Sequence, residues 1–212
     1  MSVPLRRMGD SDLLFFMAAD AEYGPELQAR FTPVITGVGP VEAAVAVTAT
    51  LAELQSRSAL PDLVVSLGSA GSERLEHCQV YQARMVAYRD MDAASLGFEK
   101  GVTPFLGLPA RLSLPLKIEG IPEATLSTGG NVVSGSAYDE VSEDMVDMES
   151  YAVLRACQRF NLPLLVLRGI SDGVAPLEGM HSWTEYLHVL DARLAEATDL
   201  LAEQIGAGQI RL

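Results

Sequence analysis

The stretch VDMESYAVLRACQRF, residues 146–160, fixes how the rest of the chain is read. At 100° per residue, Met145, Glu149, Ala152, Val153, Ala156 and Phe160 share one face with Met148 beside them. That spacing predicts a helix opening at Val146. Glu149 is the exception on an otherwise apolar stripe. A carboxylate turned toward a core is costly unless something pairs with it. Directly downstream, LPLLVLRGISDG (162–173) reads as a buried strand running out into a polar loop.

The same alternation holds outward from this unit. DLLFFMAA (12–19) is a short apolar run, read as a buried first strand. PVITGVGPVEAAVAVTATLAELQ (33–55) gives a strand, a glycine turn and an alanine-rich helix. PDLVVSLGSAGS (61–72) is a second buried strand with a Gly/Ser-rich end, and YQARMVAYRDMDAASLGFEKG (81–101) a strand leading into an irregular segment. ATLSTGGNVVSGS (124–136) is a strand with a Gly-rich turn, and SWTEYLHVLDARLAEATDLLAEQI (182–205) a long amphipathic helix. Strands alternating with helices predict an α/β fold: a single domain over residues 1–212, with a mixed, largely parallel central sheet flanked by helices on both faces. AADAE, GVGP, GSAGS, STGGN and RGISDG all follow predicted strands, so topology gathers them along one rim, where such sheets bind ligands.

Composition narrows the partners. With 28 acidic and 15 basic residues the net charge is −13, which argues against nucleic acid or an anionic membrane but not against an uncharged nucleoside. Cys78 and Cys157 both lie in apolar contexts and lack metal or redox spacing, so they are expected to be reduced thiols. The N-terminal apolar run is too short for a membrane span or a secretory signal, and a cytoplasmic location is expected.

GSAGS (68–72), VDMESYAVLRACQRFNLPLLVLRGISD (146–172) and SWTEYLHVL (182–190) together resemble the nucleoside phosphorylase and nucleosidase superfamily. The nearer likeness is to the methylthioadenosine/S-adenosylhomocysteine nucleosidases, and YRDMDAASLGFEKG (88–101) shares it. The Met-Glu pair on a helix followed by an ISD strand end is the specific part; GVGPVEAA alone is weak. The resemblance implies hydrolysis of the N-glycosidic bond of a purine nucleoside, with a 5′-substituted adenosine preferred. It implies no cofactor and no metal, and a homodimer in which the segment around DMDAASLGF helps close the neighbouring pocket.

The resemblance also distributes roles. Glu149 accepts hydrogen bonds from ribose hydroxyls while Met148 packs on the sugar; the competing reading is a buried ion pair of Glu149 with Arg168. Asp172 protonates the purine N7 as the glycosidic bond breaks, oriented by Ser171, although a lone Asp at a strand end is also a common cap or turn former. Glu22 activates water, with Asp20 a competing assignment two residues away. Ser69 and Gly71 line the sugar, Val132 and Val133 occupy the base-stacking segment where an aromatic is usual, and Trp183 sits where relatives carry an aromatic near the nucleoside. Its alternative role is to anchor the last helix.

Phosphorylases of this fold hold phosphate with arginines, and those places here carry the acidic AADAE and Ser66; Arg74 and Arg89 are the arginines nearest in sequence. Hydrolysis is therefore favoured over phosphorolysis. The other rivals are a non-catalytic nucleoside-binding protein and, remotely, a dinucleotide-binding oxidoreductase. GVGPVEAA lacks the G-x-G-x-x-G spacing because Glu42 stands at the third glycine position.

Overall fold

Runs of consecutive branched and aromatic residues bury both faces of a strand, since neighbouring side chains point to opposite sides. In the computed structural model, which describes residues 3–173 and 179–212, these runs form one mixed nine-stranded sheet. The first half of the chain holds β1 (Arg6–Met8), β2 (Ser11–Met17), α1 (Pro25–Gln28), β3 (Val34–Ile35), α2 (Pro40–Ser56), β4 (Leu63–Gly71) and β5 (Val80–Tyr88). Then come β6 (Arg111–Ser113), β7 (Glu123–Thr128), β8 (Met145–Asp147), α3 (Ser150–Arg159), β9 (Leu164–Asp172), α4 (Met180–Thr184) and α5 (Leu187–Gly206).

Pairing is parallel for β2 with β3 and β4, β4 with β9, β5 with β7, and β7 with β8. It is antiparallel for β1–β2, β4–β8, β5–β6 and β5–β9. β4 pairs its first half with β2, over Leu63–Ser66, and reaches β8 only at its last residue, Gly71 opposite Val146. Since β9 bonds both β4 and β5, and β7 bridges β5 to β8, five inner strands close into a ring.

Alternate residues feed two cores. Leu14, Phe16, Val64 and Val166 pack with Ala43, Val47 and Leu51 of α2 and Val153, Ala156 and Cys157 of α3. Leu13, Phe15, Val65, Leu165 and Leu167 pack with Leu194, Leu201 and Ile205 of α5 on the opposite side. Helices on both faces are thus the direct result of period-two burial in β2, β4 and β9.

Two expectations change. The helix does not open at Val146. Met145–Asp147 pairs with Leu126–Thr128 as β8, and α3 starts at Ser150 with Glu149 in the N-cap position. The cause is local: Asp147 Oδ2 accepts the Ser150 N–H at 3.0 Å and the Ser150 hydroxyl, so the first helical donors are satisfied from the strand side. The shared stripe of Met145 with Glu149 arises by chance of spacing, and Glu149 stands at the sheet rim instead of mid-helix. The last helix is also broken, with Glu185 and Tyr186 separating α4 from α5. Among the described residues no helix is long and apolar enough to cross a membrane.

Candidate active site

A cavity of about 620 Å3 opens at the carboxyl ends of the inner strands, within the usual range for small-molecule sites. Glu22, Ser69, Gly71, Val132, Val133, Met148, Glu149, Ser171, Asp172 and Trp183 all line it. Arg168 does not. It lies behind the wall, 2% exposed, beside a void of about 10 Å3 that Glu22 and Glu149 also border.

Glu22 ends the 3-10 turn Asp20–Glu22 that follows β2. Asp191 of α5 holds the next segment by accepting the N–H groups of Glu26 (2.9 Å) and Leu27 (3.0 Å). This turn buries Glu22 and leaves Asp20 exposed, which decides between the two acids as cavity residues. Glu22 Oε1 accepts the Ser69 N–H at 2.7 Å and the Ser69 hydroxyl at 2.6 Å. Its Oε2 is buried and makes no hydrogen bond among the described residues. Burial pushes this carboxyl above its ordinary range, against the pull of the Ser69 hydrogen bonds. Trp183 Nε1 donates to Ser69 Oγ at 2.9 Å, so the indole is tied to the cavity floor.

Glu149 Oε1 accepts the N–H of Gly39 at 2.8 Å. Gly39 has φ +100°, a backbone state that favours glycine and turns its N–H toward α3. Burial, then the neighbouring negative charge of Asp147, raises the Glu149 carboxyl to about 7. The competing ion pair of Glu149 with Arg168 is absent. Arg168 instead donates to Asp147 Oδ2 from Nε (3.1 Å) and Nη2 (2.9 Å), and to the hydroxyls of Ser66 (3.1 Å) and Ser150 (2.8 Å). Asp147 lies two residues before Glu149, at the end of β8, which is joined to the Arg168 strand β9 through β4.

Asp172 is the last residue of β9, opposite Gly71 across the β4–β9 pair after a register shift. Burial raises its carboxyl above the usual range, opposed by the charge of His77. His77 Nε2 in turn meets the Ser171 carbonyl at 2.8 Å. Of the two valines, Val133 is buried and Val132 is 64% exposed at the mouth.

Arg89, Asn131, Val38 and Asp147 also line the cavity and were not expected there. Arg89 Nη1 donates to the carbonyls of Ser127 (2.6 Å) and Asp147 (2.9 Å), and Nη2 to that of Asn131 (2.6 Å). It pins the rim of β7 and β8, with both terminal nitrogens engaged. Arg74 donates to the carbonyls of Val141, Ser142 and Glu143, away from the cavity. The YRD sequence carries a cation into a strand end, which was the available signal for Arg89; nothing in local sequence marks Asp147 over Glu149 as the arginine's partner.

The profile of the family described as the Phosphorylase superfamily matches residues 28–205. The chain belongs to this superfamily. Among curated proteins, it is 28% identical over 188 residues to a 5′-methylthioadenosine/S-adenosylhomocysteine nucleosidase of Staphylococcus aureus, covering 80% of each chain. Its fold is similar to that of the futalosine hydrolase of Helicobacter pylori, with a TM-score of 0.76, 17% identity, and coverage of 91% of this chain and 97% of the other. It is also similar to the 5′-methylthioadenosine/S-adenosylhomocysteine nucleosidase of Neisseria meningitidis solved with methylthio-immucillin-A. That match has a TM-score of 0.71, 22% identity, and coverage of 92% and 98%.

Proposed function

We propose that this member of the phosphorylase superfamily hydrolyses the N-glycosidic bond of a purine nucleoside, with 5′-methylthioadenosine, S-adenosylhomocysteine or a related 5′-substituted adenosine as substrate. One observation carries the reading: three carboxyl groups of raised proton affinity, Glu22, Glu149 and Asp172, converge on one cavity. Names of the similar nucleosidases point the same way.

Each group has a distinct task. Asp172, whose proton affinity burial raises, gives its proton to the purine N7 as the C1′–N9 bond breaks and its electron pair leaves with the base. Glu149 presents a carboxylate oxygen to the ribose hydroxyls, which supply the donors that Gly39 alone does not, and Met148 packs on the sugar. Water attacks C1′ of the oxocarbenium-like sugar, and Glu22 takes its proton; a raised carboxyl is the stronger base. The products are the free purine and the ribose bearing its 5′ substituent. No cofactor takes part. Arg168 acts from behind the wall by holding Asp147, and so the start of α3, in place.

Phosphorolysis would need a free cation at the sugar face. Arg168 is committed to Asp147, Arg89 directs both terminal nitrogens at backbone carbonyls with its Nε alone unpartnered among the described residues, and the Glu22 carboxylate would repel phosphate. In phosphate-free buffer, chromatography of the reaction should therefore show purine and free sugar. Turnover that requires phosphate and yields a sugar 1-phosphate would overturn hydrolysis.

The homodimer belongs to this proposal. Val38, Val41 and Val45 at and along α2 are more than half exposed, as are Leu96 of the DMDAASLGF segment and Phe105 beyond it, which fits a second copy covering the cavity mouth. Light scattering that gives only the 22.7 kDa monomer at micromolar concentration would remove it. A cytoplasmic setting suits Cys78 and Cys157, both unpaired.

A further inference from the structure

Tyr138 lies in the 3-10 segment Gly135–Glu140 and is 4% exposed, yet its hydroxyl makes no hydrogen bond among the described residues. A buried hydroxyl left without a partner is uncommon in native structures and requires a physical reason. Its ring packs with Val133, Val141 and Val146, which include two cavity-lining residues. The oxygen is directed at the bare Cα of Gly71. A Cβ placed there would lie 2.5 Å from Asp172 Oδ1 and closer still to the Tyr138 hydroxyl. Phenol and carboxyl therefore converge above one glycine, and any side chain at position 71 would drive them apart.

We propose that Tyr138 is a positioning residue for Asp172, its hydroxyl donating a hydrogen bond to Asp172 Oδ1 once that carboxyl has released its proton. The inference rests on Asp172 as the proton donor to the leaving base. As the C1′–N9 bond breaks, the Asp172 proton passes to N7 and a carboxylate is left in a desolvated position. A donor fixed beside it stabilises the ionised form selectively, late in the step, without holding the protonated acid back at its start. The phenol keeps its own proton throughout, because burial and the nearby Asp172 push its ionisation upward. Other charges act on the pair: His77, from the β4–β5 connection, favours the Asp172 carboxylate, while Glu73 and Arg89 act on Tyr138 in opposite directions.

The test is Tyr138→Phe, which keeps the ring and removes the donor. Asp172 is followed by carboxyl 13C NMR titration in the ligand-free protein, and kcat by its pH profile. Loss of a donor to the ionised form raises the acid's pKa, so Asp172 should titrate about one unit higher. The alkaline limb of kcat should move the same way, with kcat down about ten-fold and KM within about two-fold. Incorporating 3-fluorotyrosine at position 138, a stronger donor of nearly the same size, should shift Asp172 in the opposite direction and serves if the phenylalanine variant folds poorly. An Asp172 titration unchanged by either variant overturns the proposal. Asp172→Asn separates the two levels: if that variant stays active, the proton-donor role fails, while the NMR shift still judges the Tyr138 contact.

Discussion

Asp147 and Glu149 stand two residues apart, both almost entirely buried, and their surroundings are opposite. Asp147 has donors at both oxygens. Its Oδ1 accepts the Thr128 hydroxyl at 2.6 Å, and its Oδ2 takes Arg168, the Ser150 N–H and the Ser150 hydroxyl. Among the described residues Glu149 has one protein donor, the Gly39 N–H, and it turns toward the cavity. A buried carboxylate with donors at both oxygens belongs to the scaffold; one left short of donors is built for a ligand that brings them. The difference arises because β8 ends between the two residues, so that Asp147 still lies in the sheet and Glu149 lies beyond it.

Asp147→Ala should give the largest effect. It leaves the Arg168 guanidinium buried without its counter-charge, and the expected loss of stability is about 3–5 kcal/mol in urea unfolding. A loss under about 1 kcal/mol would erase the contrast between the two acids. Glu149→Gln should do the reverse: substrate-analogue binding weaker by about 1.5–3 kcal/mol in calorimetry, with unfolding free energy not lowered. A Gln variant that binds as tightly as the parent would mean that Glu149 does not receive the sugar.

A third effect is on the pH dependence of stability. The Glu149 carboxyl rises from 4.5 to about 7 on folding, so between those values the folded chain binds more protons than the unfolded one. The stability this confers is complete below pH 4.5 and lost as pH rises toward 7. Glu149→Gln should flatten that decline in unfolding curves taken across the interval. Part of the slope should persist, since burial raises Glu22 and Asp172 in the same direction. An identical slope in both proteins would place the shift elsewhere.

The layered fold was legible because strands such as LLFF and LVVSL carry their double-sided burial in consecutive apolar residues, and because Gly/Ser endings mark the rim. Glu149 was legible as an unpaired carboxylate, although for the wrong local reason: a three-residue strand is too short to leave a period-two signature against a 3.6-residue one. Glu22 could not be told from Asp20 in sequence, because the choice is made by a single 3-10 turn tied down from α5. Arg168 was drawn to the wrong acid for a similar reason. The registers of β8 and β9 on β4, the strand they share, choose its partner, and register is a property of chain segments far apart. Tyr138 gave no signal at all, since its meaning depends on Gly71 and Asp172 arriving on the same side.

The contact of Trp183 with Ser69 fixes where a proton can go. An indole N–H only donates, so Ser69 Oγ is its acceptor, and the single hydroxyl hydrogen of Ser69 is left to point at Glu22 Oε1. That oxygen already receives the Ser69 N–H as well. A proton arriving at Glu22 therefore has one place to bind, Oε2, the oxygen with no donor of its own. The tryptophan thus reinforces the front and back that the Ser69 N–H already gives this carboxylate. Replacing it with phenylalanine would free the Ser69 hydroxyl to turn, leaving the Ser69 N–H to mark Oε1.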